Sequence, residues 1–175
     1  CGQRQMFRRC RNSGAVLQNN ASGGGVCVEG CSTFTMNSGA VIQNNTSSEY
    51  GGGVYVMGGG TTFTMNSGTI SGNEATKGGG VYVNVGTFTM NGGTISGNKA
   101  TERGGGVYVA SYGTFELSGS ASITDNTKTD GTTANNVYLS SGKTITLTGA
   151  LTEGAAIGVN TTITPTANSP VIISK

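Results

Sequence analysis

Apolar positions along this chain fall in short alternating runs that repeat at a long, nearly constant interval. The block Gly51-Gly52-Gly53-Val54-Tyr55-Val56 recurs at residues 78–83 and 104–109, about every 27 residues. An earlier copy at 23–28 carries Cys27 in place of tyrosine. Asn135-Asn136-Val137-Tyr138-Leu139 is a degenerate copy, and residues 154–159 read as a last one. Each is followed by Thr-Phe-Thr-Met-Asn or a relative, at 33–37, 62–66, 87–91, 114–118 and 144–148. A third block ends in asparagine, as in Thr69-Ile70-Ser71-Gly72-Asn73 and Thr94-Ile95-Ser96-Gly97-Asn98.

No block has 3.6-residue spacing, and each fits a short strand bounded by Gly, Asn and Ser. Alternation then assigns faces. In Val-Tyr-Val the tyrosine points away from the valines; in Thr-Phe-Thr-Met, Phe and Met oppose the threonines. Stacking repeat on repeat predicts a core of three columns. Phe34, Phe63, Phe88 and Phe115 form one, continued by Ile145 and Ile163. Met36, Met65, Met90, Leu117 and Leu147 form the second, and Val16, Val41, Ile70, Ile95 and Ile123 the third. The expected fold is all-β: a single-stranded parallel β-helix of about six coils, each of three short strands. Residues 1–22 are expected to form a cysteine-bearing cap and partial coil, 23–140 the regular coils, and 141–175 degenerate coils and a second cap. Asn19, Asn44, Asn73, Asn98 and Asn126 are expected to stack as a structural ladder. The charged segments that follow them vary in length and read as solvent-facing loops.

Gly-Gly-Gly-Val followed by Phe-Thr-Met-Asn resembles the paired GGA[I/L/V] and FxxN repeats of the chlamydial polymorphic outer-membrane proteins and of bacterial adhesin-like repeat proteins. FxxN is complete at Phe34 to Asn37, Phe63 to Asn66 and Phe88 to Asn91; Ser118 replaces the asparagine after Phe115. The third glycine stands where the family often has alanine. The resemblance implies right-handed winding and an adhesin-like or stalk role at a bacterial cell surface or outside the cell.

Composition narrows the chemistry. A net charge of +2 with 10% charged residues gives no polyanion stripe for nucleic acid. No apolar run is long enough to span a membrane. With no histidine and eight acids spread singly, general acid–base catalysis and metal ligation lack a cluster. The expectation is therefore no enzyme, no cofactor and no metal. Binding is the open function. Tyr55, Tyr82, Tyr108 and Tyr138 should stack on an outer face, offering amphipathic area to glycans or to host or neighbouring surface proteins. An alternative is an ice-binding face. Thr33 and Thr35, Thr62 and Thr64, Thr87 and Thr89, and Thr144 and Thr146 would form two columns resembling insect β-helical antifreeze proteins. Glu116 interrupts one of them. A carbohydrate-active β-helix enzyme is the remaining reading. End-to-end self-association through exposed coil ends is a further expectation.

Cys1, Cys10, Cys27 and Cys31 all fall near the N-terminus. Cys1–Cys27 with Cys10–Cys31, or Cys1–Cys10 with Cys27–Cys31, would staple that end in an oxidising compartment.

Overall fold

The computed structural model describes residues 5–12, 16–20, 24–160 and 173–174, with side chains for 17–20 and 24–160. Among them there is no helix, and every pairing between strands is parallel, stacked as a β-solenoid of about five turns. Ten strands form one sheet. It runs from Gln5–Asn12 through Val26–Met36, Val81–Met90 and Val107–Gly119, and carries both the tyrosine and the threonine blocks. In those long strands the two blocks are one continuous bent strand. A six-stranded sheet stacks the isoleucine blocks, including Thr69–Ser71, Thr94–Ser96 and Ser122–Thr124.

The third sheet was not expected. Glu74–Lys77, Lys99–Arg103 and Thr127–Lys128, read from sequence as loops, pair in parallel with Ala75 opposite Ala100. Both alanines are buried while their charged neighbours Glu74 and Lys99 face out. Residues 154–159 also differ from expectation. Rather than repeating the glycine block, Ala156–Ile157 joins the isoleucine sheet beside Ser122 and Ile123, and Val159–Asn160 pairs with Val137 and Tyr138.

The phenylalanine column is fully buried, with ring centroids 5.3, 4.8 and 5.0 Å apart from Phe34 to Phe115. Met36, Met65, Met90 and Leu117 form a second fully buried row, which the half-buried Leu147 continues. Ile145 stands in register with Phe115 and is followed by Ile173; residue 163 lies outside the described residues. The isoleucine column is shifted by one residue from expectation. Val41 pairs with Thr69, and it is Leu17 and Ile42 that line up with Ile70, Ile95, Ile123 and Ile157. With a side-chain period of two, that slip places Val41 on the outer face and Ile42 in the core.

The same slip moves the ladder. Asn19 and Asn44 are exposed, with φ of 61° and 54°, and Asn20 and Asn45 take the places assigned to them. Asn20, Asn45, Asn73, Asn98 and Asn126 each donate a backbone N–H and an Nδ2–H to the Oδ1 of the next, ending on Asn136. The other Nδ2 hydrogen of Asn45, Asn73, Asn98 and Asn126 reaches a main-chain carbonyl, such as Ile42 O from Asn73. Four of these side chains have no solvent exposure, yet their amides are saturated, which is what burial of an amide requires.

The glycine triplet owes its composition to close approach. Gly78 has φ +65°, and a Cβ on Gly80 would lie 2.5 Å from the Gly106 carbonyl oxygen of the next coil. Where the repeat degenerates, Asn135 occupies the second-glycine position. Its Oδ1 accepts the Gly104 N–H at 2.8 Å, the role played one coil earlier by the Arg103 carbonyl for Gly78.

At the N-terminus, Gln5–Asn12 is a strand of the large sheet, placing Arg9 and Arg11 beside Thr33 and Thr35. Met6 stands in register beside Cys27. Both expected disulfide schemes required Cys31. It is instead a free, exposed thiol at φ +58°, donating to the Gly59 carbonyl oxygen at 3.3 Å. Cys1 lies outside the described residues, as does the side chain of Cys10.

Candidate binding face

The tyrosine blocks align as expected: Tyr55 with Tyr82, Tyr82 with Tyr108, and Tyr108 with Tyr138. Rings of Tyr82, Tyr108 and Tyr138 stack at centroid separations of 5.0 Å, while Tyr55 meets Tyr82 edge-on at 5.4 Å. Because the faces are spent on one another, a ligand would meet ring edges and hydroxyls.

A fifth ring joins the column. Tyr50 packs 4.6 Å from Tyr82 and 6.1 Å from Tyr55. This covers Tyr82, which is only 8% exposed, contrary to its expected place on an open face. Burial, with smaller contributions from the neighbouring phenols, pushes the Tyr82 hydroxyl up to about 12. The signal for Tyr50 lay in its position immediately before a glycine triplet. Lys77 and Arg103 hold the same place in later coils: Lys77 pairs with Arg103 in the third sheet, and an isolated bridge joins Tyr50 to Lys77.

That row turns the far end of the column cationic. Arg103 lies over the Tyr138 ring, 4.7 Å from its centroid, and donates to its hydroxyl. Lys77 pairs with Glu102 at 3.2 Å, and the hydrogen bond to that carboxylate raises the lysine above its ordinary value. Beside Tyr108 opens a cleft of about 540 Å³ lined by Lys77, Thr101, Glu102, Arg103 and Lys128. A smaller hollow of about 200 Å³ shares Glu102, Arg103 and Lys128 with it and reaches Tyr138, Asn135 and Asn160.

The threonine columns are in register on another part of the same sheet. Thr33, Thr62, Thr87 and Thr114 form one row; Thr35, Thr64 and Thr89 form the other, broken by Glu116 before Thr146. Thr144 stands just before Ile145, the partner of Phe115. Glu116 accepts a hydrogen bond from Thr89 Oγ1 at 2.9 Å. Beside these rows Asn66 donates to Asn37 and Asn91 to Asn66, a second and more exposed amide row. Arg9 and Arg11 occupy the threonine register in the first coil, so the regular Thr-x-Thr array spans only part of the sheet.

Neither aspartate converges with another acid. Asp125 holds a positive φ of 57° where earlier coils have Gly72 and Gly97. Asp130 closes a turn by accepting from the Thr133 hydroxyl and the N–H groups of Thr132 and Thr133, which hold its carboxyl well below the usual range.

With this geometry in view, one coil is similar to a known repeat. Residues 92–110 match the sequence model of the Chlamydia polymorphic membrane protein repeat. The matched stretch carries Ile95 of the core, Asn98 of the ladder, the charged strand Lys99–Arg103, the glycine triplet and Tyr108. The Phe-x-x-Asn motifs lie outside it. No curated protein and no solved structure matches the chain.

Proposed function

We propose that the chain is a cell-surface or extracellular β-solenoid module, non-enzymatic, that attaches to saccharide or protein partners through its tyrosine face. The observation that carries this reading is the cleft alongside Tyr108 and Tyr138, where half-buried ring edges, hydroxyls and charged side chains share one surface. Tyrosine supplies contact area at low entropic cost, and binding hot spots favour it. A repeat named for a membrane-protein family supports a place at the cell surface. The threonine rows lack comparable relief, so they suit only a lattice-like partner.

Replacing Tyr108 and Tyr138 together by serine tests the reading on a glycan array and on intact cells. Attachment should be lost while the melting temperature moves by only a few degrees. Tyr82 is unsuitable for this test because it is buried. Lysine at Thr64 and Thr89 should leave attachment intact. If the threonine changes instead abolish a thermal hysteresis that the tyrosine changes spare, the face that works is the ice-binding one. Attachment indifferent to both pairs would make the module a spacer.

A further inference from the structure

We infer that the ligand of this face is an acidic polysaccharide, an extended sugar chain whose carboxylate or sulfate groups lie against Arg103 and Lys128. This inference rests on the tyrosine-face reading and narrows it. Three cations and one carboxylate line the cleft, and Glu102 is already committed to Lys77. Among the described residues no carboxylate pairs with Arg103 or Lys128. The Arg103 guanidinium is held by an aromatic ring and a phenol, which orient it without neutralising it.

A second observation points the same way. Asn135 lines the adjoining hollow and is only 4% exposed. Its Oδ1 is occupied by Gly104 N–H, but its Nδ2 has no acceptor among the described residues. A buried amide donor left unpaired is costly, and Asn135 shares the wall of this hollow with the Arg103 guanidinium and the Lys128 ammonium, a lining that asks for anionic oxygen.

The tyrosine column decides between polyanions. Single-stranded nucleic acid binds through bases stacked on open aromatic faces. Here those faces are closed by mutual stacking at 5.0 Å, leaving a row of edges and hydroxyls at that spacing. Such a row is close to the rise per residue of an extended polysaccharide, and each step offers a hydroxyl partner and a C–H surface.

The test titrates the full chain with polygalacturonate, heparin, a neutral methyl-esterified pectin and single-stranded DNA. We expect polygalacturonate or heparin to bind more tightly than the neutral polymer, identifying carboxylate or sulfate as the group recognised. Replacing Arg103 and Lys128 by glutamine should cost at least about tenfold in affinity, corresponding to ~1.4 kcal/mol. Equal binding of neutral and acidic polymers, unchanged in R103Q/K128Q but lost in the Tyr108/Tyr138 serine variant, overturns this inference and leaves the tyrosine-face reading standing. DNA bound as tightly as the acidic sugars overturns the assignment to saccharide. Absence of binding to every polymer overturns the inference; the array and cell tests then judge the face separately.

Discussion

Asn73 donates its Nδ2–H to Asn98 Oδ1 at 2.9 Å, its backbone N–H reaches the same oxygen at 3.0 Å, and neither residue is exposed. A single oxygen therefore satisfies two buried donors of the coil before it. Asn98→Ala strands both of them, together with the Ile70 carbonyl that Asn98 itself serves. At roughly 1–3 kcal/mol per stranded group, the loss should exceed that of most surface changes several-fold. Urea denaturation reads it directly. Asn44→Gly is the matched control. Asn44 is exposed at φ 54°, where the next coil has Gly72, so its replacement should shift stability by no more than about 0.5 kcal/mol.

Phe88 lies between Phe63 and Phe115, at 4.8 and 5.0 Å, with no exposure. Truncation to alanine should cost about 3–5 kcal/mol, since rigid neighbouring coils collapse poorly into the space. A denaturation midpoint that barely moves would mean that the column is not packed.

Gly80→Ala adds one methyl group and should still destabilise. Its Cβ would meet the Gly106 carbonyl at 2.5 Å, and the Ile95 side chain closes the other side at 3.0 Å. The backbone pairing Gly80 N to Gly105 O must then open. Hydrogen exchange at residues 79–81 should quicken in the variant, with a lower melting temperature.

Tyr82 gives the fold an alkaline limit. Its hydroxyl sits at about 12 in the folded chain against 10.0 for a free phenol. The folded state therefore resists ionisation. Its contribution is complete below pH 10 and is lost as pH rises through about 12. Stability measured by urea across pH 9 to 12 should fall over that interval, and Tyr82→Phe should flatten the fall. Absorbance titration should show a late-ionising phenol that Tyr82→Phe removes.

Much of this architecture was legible because stacked coils repeat the same side chain at the same height. The phenylalanine, methionine, tyrosine and threonine rows could be read off directly. The isoleucine row was misread by one residue in the early coils, where Val41-Ile42 and Asn44-Asn45 offer two chemically similar choices each. The distinguishing cue was conformational: Gly72 and Gly97 have positive φ just before a buried asparagine, which identifies Asn44 as their counterpart and Asn45 as the buried one. The third sheet was missed because a single buried alanine among charged residues is too short a pattern to declare a strand. Arg103 and Lys128 read as loop charges for the same reason, so the cationic wall of the cleft emerged only in three dimensions.

The amide ladder also makes the chain editable in whole units. From Asn20 to Asn126, successive ladder residues are separated by 25 or 28 positions, yet their hydrogen bonds are the same. Excising residues 73–97 would join Gly72 to Asn98, and every donor on Asn45 would find an equivalent oxygen. The product should be one storey shorter, by about 4.8 Å, with its remaining seams intact. Removing a single residue from within a strand would instead slip that strand against its neighbours. Such a protein can be lengthened or shortened by recombination between its own repeats, so reach becomes a heritable trait that varies in steps.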